Sequence, residues 1–472
     1  MAAALPGPCD AGVAGATRPA ACGHPGLTLA ATILGSSVAF IDGSVVNVAL
    51  PALQAGLDAS AGQLAWTINA YLLPLGALTL LGGGLGDHFG RRRLFLTGLS
   101  VFAAASLLCL AAPGVGWLLA GRALQGLGAA LLMPNSLAIL GAAFAGEARG
   151  RAIGTWAATG ALAGAVGPLL GGWLVDVAGW RTIFLINLPV AAGAALLAWR
   201  YVAESGGAEA AGPLDWAGAA LATLALGLLT WALTEAGAAG WSLPVLATAT
   251  LGALALALFL RAEARAGAGA LMPLALFATR SFVGLTLFTF LLYGALGGLL
   301  VLLPYVLIHQ GQYSAVAAGA ALLPLPVLIG LGSRLMGRLT AQHGGRLPLA
   351  LGAALVALGL AFYLRIGAGT LDYWRDVLPA TLLVSFGMAV SVAPLTTSVM
   401  AAADPEHVGA ASGFNSAVAR VGGLVATALL GFVLAAEAAP ERFLAGVHGA
   451  ALVGAGCAAL AAGCIAWGLR RT

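Results

Sequence analysis

The amino-acid sequence predicts an all-α integral membrane protein with fourteen transmembrane helices. Of the 472 residues, 61% are hydrophobic and 8% are charged, whereas soluble domains carry about 25% charged residues. Apolar stretches of about 20 residues, long enough to cross the hydrocarbon core as helices, recur along nearly the whole chain. Too few polar residues remain to cover the surface of a large soluble protein, which argues against that class.

The apolar stretches define the helices in chain order. The fourteen spans are 28–51, 64–84, 94–112, 115–140, 152–175, 182–203, 214–235, 243–262, 281–308, 314–337, 347–366, 377–401, 408–435 and 446–469. The residues before the first span are rich in Pro, Gly and Ala and predict a disordered cytoplasmic tail. This tail lacks the basic start and short apolar core of a cleaved signal peptide, so the first helix is expected to act as an uncleaved anchor.

The arginines predict the orientation of the helices. The chain has no lysine, so all 21 basic residues are Arg. With the N-terminus inside, fifteen arginines fall in inside segments and four in outside segments, which satisfies the positive-inside rule. This asymmetry supports an even number of helices with both termini in the cytoplasm. The arginines form no basic patch with interleaved aromatics, so nucleic acid is not an expected partner.

Two connecting loops resemble each other and predict an internal repeat. GGLGDHFGRRRL, residues 83–94, and GRLTAQHGGRLP, residues 337–348, align without gaps and share glycines, a leucine and a basic end. Two six-helix halves would place these loops at equivalent positions, as in secondary transporters; chance similarity between two basic loops is the alternative. The predicted domains are the tail, 1–26, a first half, 27–203, two inserted helices, 204–265, and a second half, 266–472.

Asp42 lies in the middle of the first apolar span. It falls about fourteen residues into that span, or about 20 Å along a helix and near the midplane. An isolated carboxyl group there is protonated unless water or a cation reaches it. A group that is neutral when dry and ionised when wet can bind and release the proton of an antiporter. The alternatives are a permanently neutral acid with a structural hydrogen bond and a helix N-cap at a break near Gly43.

Arg122 is a second charged residue within a predicted helix. An arginine at membrane depth costs at least about 2.5 kcal/mol, so it is expected to face the protein interior and to have a partner. Gln125, three residues on, shares its helix face. Snorkelling of the arginine to the membrane surface is the alternative.

Five motifs resemble one known family. They are IDGSVVNVALP at 41–51, GDHFGRRR at 86–93, LLAGRALQGLGAA at 118–130, GPLLGG at 167–172 and GWRTIFLINLPV at 179–190. In this order they resemble the major facilitator superfamily, in its fourteen-helix drug:proton antiporter branch. Gly160 and Gly164, upstream of GPLLGG, depart from the usual spacing of the family's fifth-helix motif.

The resemblance and the residues together assign three groups of functional residues. The proton-coupling residues are Asp42 and Arg122; the conformational latch is Gly83, Asp87, Gly90, Arg91 and Arg92; the antiporter motif is Gly167, Pro168, Gly171 and Gly172. For the latch, an inert topogenic loop is the alternative. For the antiporter motif, the resemblance implies an interface between the two halves that favours export, and ordinary packing of small residues is the alternative.

Aromatic and polar residues of four helices are candidates for a substrate pocket. They are Trp66, Asn69, Tyr71, Gln125, Trp156, Phe288 and Tyr293. Each of the aromatic and amide residues could equally be a core or lipid-facing residue. Members of the family that the motifs resemble and that export divalent cations tend to have a further membrane acid in the second half. No acid other than Asp42 lies squarely within a predicted helix core, so the resemblance implies a neutral, zwitterionic or singly charged amphipathic substrate.

The composition also excludes several functions. A Walker A motif requires a lysine, which the chain lacks, and no H-E-x-x-H or G-x-S-x-G pattern occurs, so neither an ATP-driven pump nor an enzyme is expected. The five cysteines have no metal-ligand spacing. The sequence therefore predicts a monomeric drug:proton antiporter of the bacterial inner membrane, with membrane lipids around it, the proton gradient as energy source and no cofactor. The alternative is a nutrient or metabolite symporter or uniporter on the same fold.

Overall fold

The computed structural model of the protein describes residues 24–206, 214–266, 272, 274–367, 371–403, 408–434 and 440–469. Within these residues the fold is all-helical, and fourteen helices are long and apolar enough to cross a membrane. The predicted number of transmembrane helices is therefore confirmed. The tail predicted for residues 1–26 lies almost wholly outside the described residues.

In chain order the helices comprise a first six, two more and a last six, and we call the two sets of six the first and the second bundle. The first bundle consists of α1 Pro25–Leu57, α2 Ala61–Phe89, α3 Arg91–Leu110, α4 Val115–Ala143, α5 Gly146–Ala178 and α6 Thr182–Tyr201. The helices α7 Trp216–Ala239 and α8 Leu243–Ala266 follow. The second bundle consists of α9 Arg280–His309, α10 Ala315–Ala320 continued by Pro324–His343, α11 Arg346–Phe362, α12 Leu378–Ala401, α13 Val408–Leu429 and α14 Pro440–Gly468.

Some helices extend beyond the predicted spans. Pro51, where the first span was expected to end, lies inside α1, which continues to Leu57 and ends at Asp58 in a left-handed conformation. The last helix begins at Pro440 rather than at residue 446. The charged residues Glu441 and Arg442, which made the predicted span start later, belong to the first turn of this helix. Proline and charge therefore shortened the predicted spans without changing their number.

The connections between successive helices alternate between two faces of the molecule. We call the face that carries the α2–α3 connection the arginine-rich face, and the opposite face, which carries the α1–α2 connection, the arginine-poor face. On the arginine-rich face, α2 ends at Gly90 and α10 ends at Gly344, with φ of 103° and 79°. Only glycine adopts such a conformation readily, which explains the glycine shared by the two similar loops.

The corresponding helices of the two bundles cross at corresponding glycines. A Cβ on Gly98 of α3 would lie 2.8 Å from the backbone oxygen of Gly128 on α4. In the second bundle, a Cβ on Gly352 of α11 would lie 2.6 Å from the backbone oxygen of Gly387 on α12. Neither crossing can accept a larger residue without moving a helix backbone.

A second matched contact joins the start of α3 to the end of α6, and the start of α11 to the end of α14. The guanidinium group of Arg92 donates to the backbone oxygen of Val202 at 3.2 Å. The guanidinium group of Arg346 donates to the backbone oxygen of Ala466 at 3.1 Å. Each bundle therefore holds its sixth helix with an arginine from the start of its third.

The two additional helices lie at the side of the bundles. Helix α7 packs against α8, against α2 of the first bundle and against α13 of the second. Most residues of α8 on its other side are exposed and apolar, among them Leu243, Leu251 and Leu254, which suits a helix that faces lipid.

Candidate functional site

Asp42 lies at the centre of a buried polar network inside the first bundle. Its side chain is 0% exposed, and its carboxylate forms an ion pair with the guanidinium group of Arg122, which is 1% exposed. The two residues come from α1 and α4. Taking two charges out of water carries a large desolvation penalty, which is offset only when both charges are well paired and hydrogen-bonded.

Three further side chains complete this network around Asp42. Gln125 on α4 and Asn187 on α6 donate to the Oδ1 atom of Asp42 at 3.0 and 2.8 Å. The same two amide groups donate to the hydroxyl of Ser106 on α3, at 2.9 and 3.3 Å. The carboxylate of α1 therefore accepts hydrogen bonds from α4 and α6 on its two oxygens, and α3 joins the network through the two amides.

Arg122 is held by two nitrogens and one face of its guanidinium group. Its Nη1 atom also donates to the Oε1 atom of Gln125 at 2.8 Å, and its Nε atom donates to the backbone oxygen of Thr67 at 3.0 Å. The guanidinium carbon lies 4.5 Å from the centre of the Tyr71 ring, a cation–π distance. The Tyr71 hydroxyl in turn donates to the backbone oxygen of Ala39 at 3.0 Å. The planar fork of an arginine fits this set of partners, and a lysine would not.

The sequence analysis singled out part of this network and missed the rest. It selected Asp42 and Arg122 for proton coupling, and the structure brings these two together. It placed Gln125 and Tyr71 in the substrate pocket, and in the structure both contact Arg122. It missed Ser106 and Asn187. Asn187 belongs to the GWRTIFLINLPV motif, and an amide in the middle of that apolar stretch was the signal that could have selected it.

The other pocket candidates lie in different environments. Trp66 and Tyr293 are half-buried, whereas Phe288 is 0% exposed and packs in the core of the second bundle. Asn69 is 0% exposed, and neither polar atom of its amide has a partner in the structure. Trp156 donates from its indole nitrogen to a serine hydroxyl of α1 at 2.9 Å.

The predicted latch loop makes its described polar contacts within the first bundle. Asp87 forms an ion pair with Arg91, one turn later, at 2.8 Å, and both side chains are partly exposed. Glu204, just after α6, accepts hydrogen bonds from the backbone N–H groups of Arg92 at 2.9 Å and Arg93 at 3.2 Å. A carboxylate at this position also interacts favourably with the positive, N-terminal end of the α3 helix dipole. Glu204 is a residue of this loop that the sequence analysis missed.

The GPLLGG segment lies between α1 and α10. A Cβ on Gly167 or on Gly171 would overlap a side chain of α1, and one on Gly172 would overlap the backbone at the start of α10. From the other side, a Cβ on Gly319 of α10 would overlap the backbone oxygen of Pro168. The segment therefore brings α5 of the first bundle into backbone contact with α10 of the second.

Polar contacts reinforce this junction on the arginine-poor face. The carboxylate of Asp176, one turn after the glycines, accepts hydrogen bonds from the backbone N–H groups of Ala315 at 3.2 Å and Val316 at 2.9 Å. These are the first N–H groups of α10, which have no partner within their own helix. Nearby, the hydroxyl of Tyr305 on α9 donates to the side-chain oxygen of Gln54 on α1 at 2.8 Å. The two bundles are thus joined by hydrogen bonds on this face.

The fold and the buried network define a class: a multi-pass membrane protein built like a secondary transporter, with a charged site inside a helical bundle. Residues 32–427 match the family model described as Major Facilitator Superfamily. The chain therefore belongs to this superfamily, whose members are transporters and not enzymes.

Relatives narrow the branch of the superfamily. The chain is 36% identical over 405 residues to the Methylenomycin A resistance protein of Bacillus subtilis (strain 168), covering 85% of this chain and 86% of that protein. It is 35% identical over 417 residues to the Multidrug resistance protein Stp of Mycobacterium tuberculosis (strain CDC 1551 / Oshkosh), covering 87% and 76%. It is 32% identical over 421 residues to the Tetracenomycin C resistance and export protein of Streptomyces glaucescens, covering 88% and 77%. The resemblance to fourteen-helix drug efflux and resistance proteins is confirmed.

Solved structures agree on the fold. The peptide transporter POT in complex with sulfate superposes with a TM-score of 0.69 at 15% identity, covering 96% of this chain and 98% of that chain. A bacterial homolog of the human lysosomal transporter Spinster superposes with a TM-score of 0.63 at 16% identity, covering 94% and 96%. At this level of identity the likeness shows the fold alone.

Proposed function

We propose that the protein exports lipophilic small molecules in exchange for protons across a bacterial cell membrane. The observation that carries this proposal is the buried ion pair of Asp42 and Arg122, with Gln125 and Asn187 on the same carboxylate. Ionisable groups inside a membrane are costly and are characteristic of proton and substrate pathways. The names of the relatives support a role in drug resistance and efflux.

In this proposal Asp42 carries the proton. While it is ionised, its charge is balanced by Arg122 and its oxygens accept the surrounding hydrogen bonds. A proton that arrives with water neutralises the carboxylate and leaves Arg122 with the neutral acceptors Gln125 and the Thr67 carbonyl. The protonated and ionised states therefore differ in the charge and hydrogen bonding of the site, which lets proton binding favour one conformation over the other.

Alternating access would come from rocking of the two halves, 27–203 and 266–472, about this site. We infer that the arginine-rich face is cytoplasmic, as the positive-inside rule requires, with both termini on that side. The arginine-poor face is then the outer face, where Asp176 and Gln54 join the bundles. The outer side would open when these contacts break, and the GPLLGG segment and the loop from Gly83 to Arg92 would adjust the balance between the two states.

The cargo would bind to apolar and aromatic side chains rather than to a second charged site. The half-buried rings of Trp66 and Tyr293, on α2 of the first bundle and α9 of the second, suit a lipophilic molecule between the halves. Small lipophilic substrates, protons and membrane lipids would then be the partners of a protein that works as a monomer.

The test uses everted membrane vesicles from cells that express the full-length protein. Fluorescent lipophilic cations and neutral dyes are supplied outside the vesicles, and uptake is followed with and without a protonophore. We expect uptake in the wild type, and loss of uptake with the protonophore or with Asp42→Asn. Asp58→Asn is the matched control, because Asp58 is exposed at the end of α1 and its left-handed backbone suits asparagine.

Three outcomes would count against the proposal. Uptake that persists in the Asp42→Asn variant would remove Asp42 from the coupling. Uptake that is insensitive to the protonophore would remove the proton as the driving ion. Accumulation that requires a proton gradient in the same direction as the cargo would identify a symporter on the same fold.

A further inference from the structure

Two further carboxyl groups, one half-buried and one buried, lie apart from the Asp42 network, where α7, α8 and the linker to α9 meet. Asp215 precedes α7, and its Oδ1 atom accepts a hydrogen bond from the backbone N–H of Gly218 at 2.7 Å. Glu263 lies in the last turn of α8 and is 2% exposed. Its Oε2 atom accepts a hydrogen bond from the backbone N–H of Met272 in the linker at 2.7 Å. One oxygen of each carboxyl group is therefore satisfied by backbone.

The remaining oxygen of each group is buried and has no donor. The Oδ2 atom of Asp215 and the Oε1 atom of Glu263 have no hydrogen-bond partner in the structure. A Cβ added to Gly218 would lie 2.6 Å from Oε1 of Glu263 and closer still to Oδ2 of Asp215, so the two oxygens flank one small space. The two carboxyl groups are therefore close enough for their charges to affect each other.

Two ionised carboxylates are acceptors only, so they cannot hydrogen-bond to each other and they repel. A single proton removes both problems, because the protonated group donates to the ionised one and the net charge of the buried pair falls to one. We propose that Asp215 and Glu263 form a proton-binding site that is separate from Asp42 and holds one shared proton at neutral pH.

The charged groups of the neighbouring helices do not replace this proton. The titratable and charged groups on these helices are Asp87 and His88 at the end of α2, Glu235 on α7, Arg261 and Arg265 on α8, and Arg420 on α13. The charged side chain that faces the unpartnered oxygen of Glu263 across the small space at Gly218 is that of Asp215. Asp87 is paired with Arg91, and the two arginines of α8 have exposed side chains.

The position of the pair gives the proton a structural consequence. Glu263 holds the linker between the inserted helices and the second bundle through Met272, while Asp215 holds the start of α7. Loss of the shared proton would leave two like charges facing each other in a buried space and would weaken the hydrogen bond between Glu263 and the backbone of Met272. On the inferred orientation this site lies at the cytoplasmic face, so an alkaline cytoplasm would loosen the hold of α8 on Met272.

Infrared spectroscopy of the purified full-length protein tests the site. The Asp42→Asn variant is the parent, so that no proton on Asp42 contributes to the spectrum. We expect a carbonyl stretching band of a protonated carboxyl group at neutral pH, which disappears on adding either Glu263→Gln or Asp215→Asn. Either new amide donates to the remaining carboxylate, which then stays ionised. Glu441→Gln is the control, because Glu441 is exposed and its substitution leaves the band unchanged.

Two spectral outcomes would overturn the proposal. A spectrum of the parent that Glu263→Gln does not change would mean that no proton is bound at this glutamate. A band that survives Asp215→Asn but not Glu263→Gln would mean that Glu263 is protonated by burial alone, without sharing.

Hydrogen exchange at the linker gives a second measurement on the otherwise wild-type protein. The amide of Met272 is expected to lose protection as the pH is raised in the wild type, relative to Glu263→Gln at the same pH, because glutamine keeps both hydrogen bonds without a charge. Equal protection in the two proteins at every pH would overturn the link between the proton and the linker. Neither measurement involves transport, so each outcome is independent of the proposed exporter function.

Discussion

The side-chain amide of Asn187 on α6 donates to the carboxylate of Asp42 on α1 at 2.8 Å, although 145 residues separate them in the chain. A donor to an ionised carboxylate stabilises the ionised form. Asn187→Ala is therefore expected to leave the buried carboxylate with one donor fewer, to lower the melting temperature and to slow dye uptake several-fold. Thermal unfolding in detergent and uptake into everted vesicles measure the two effects. Asn47→Ala is the control, since Asn47 is buried on α1 outside the Asp42 network; equal losses in both variants would contradict the assignment.

The ion pair itself makes a prediction about stability. Removing one partner of a buried ion pair costs about 3–5 kcal/mol because the other charge remains unpaired. Arg122→Gln should therefore lower the melting temperature of the detergent-purified protein, and the double variant Asp42→Asn/Arg122→Gln should recover part of the loss. Thermal unfolding of the two single variants and the double variant forms the thermodynamic cycle. Strictly additive effects would mean that the two charges do not interact.

Arg122→Lys separates charge from shape. Lysine keeps the positive charge but cannot donate to Asp42, Gln125 and the Thr67 carbonyl in the plane that also stacks on Tyr71. We expect the Arg122→Lys protein to have a higher melting temperature than the Arg122→Gln protein and still to lose most dye uptake. Uptake at the wild-type rate would show that a point charge is sufficient at this position.

The carboxylate of Asp176 is expected to hold the arginine-poor face closed. Asp176→Ala removes the acceptor for the first N–H groups of α10, so the open state of that face should become more populated. Spin labels on α5 and α10 at this face would report the change as a longer distance in the variant. Asp372→Ala is the matched control: that carboxylate accepts from the N–H groups of Trp374 and Arg375 within the second bundle and joins no two bundles. Equal distances in wild type and Asp176→Ala would contradict the prediction.

Gly172 is expected to tolerate no side chain. A methyl group there would overlap the backbone of Ala315 across the bundle junction, so Gly172→Ala should hinder closure of the arginine-poor face and slow transport several-fold. Gly193→Ala is the control, because a Cβ on that α6 glycine meets nothing within 4 Å. Expression level and dye uptake of both variants measure the effect. A Gly172→Ala protein that transports as fast as the control would show that the junction between the bundles can accommodate a methyl group, contrary to the prediction.

The number of helices could be predicted from the sequence because each span has to be apolar over the thickness of a membrane. This requirement is met by consecutive residues and can be recognised without the tertiary structure. The ends of the helices were harder to predict from the sequence. Pro51 and Glu441 interrupt the apolar pattern without ending a helix, because helices extend beyond the hydrocarbon into regions where polar residues are solvated.

The site followed only in part from the sequence. Asp42 and Arg122 stand out because a charge within an apolar span has few explanations. Ser106 and Asn187 do not stand out in this way, since hydroxyl and amide groups within membrane helices also bond to their own backbone or to neighbouring helices. Their role at Asp42 depends on how four helices cross, and this is a property of the tertiary structure. Glu204 was missed for the same reason, because it meets the start of α3 only after six helices have folded.

The described hydrogen-bond and ion-pair partners of Asp42 all belong to the first bundle. A rigid rotation of one bundle against the other therefore moves the carboxylate and its partners as a unit, and none of these bonds has to lengthen or break. In the proposed antiport, proton uptake and release by Asp42 would then depend on whether water reaches the carboxylate from one side of the membrane or from the other. The rate of exchange would accordingly be limited by how quickly the path to this buried carboxylate hydrates and dehydrates.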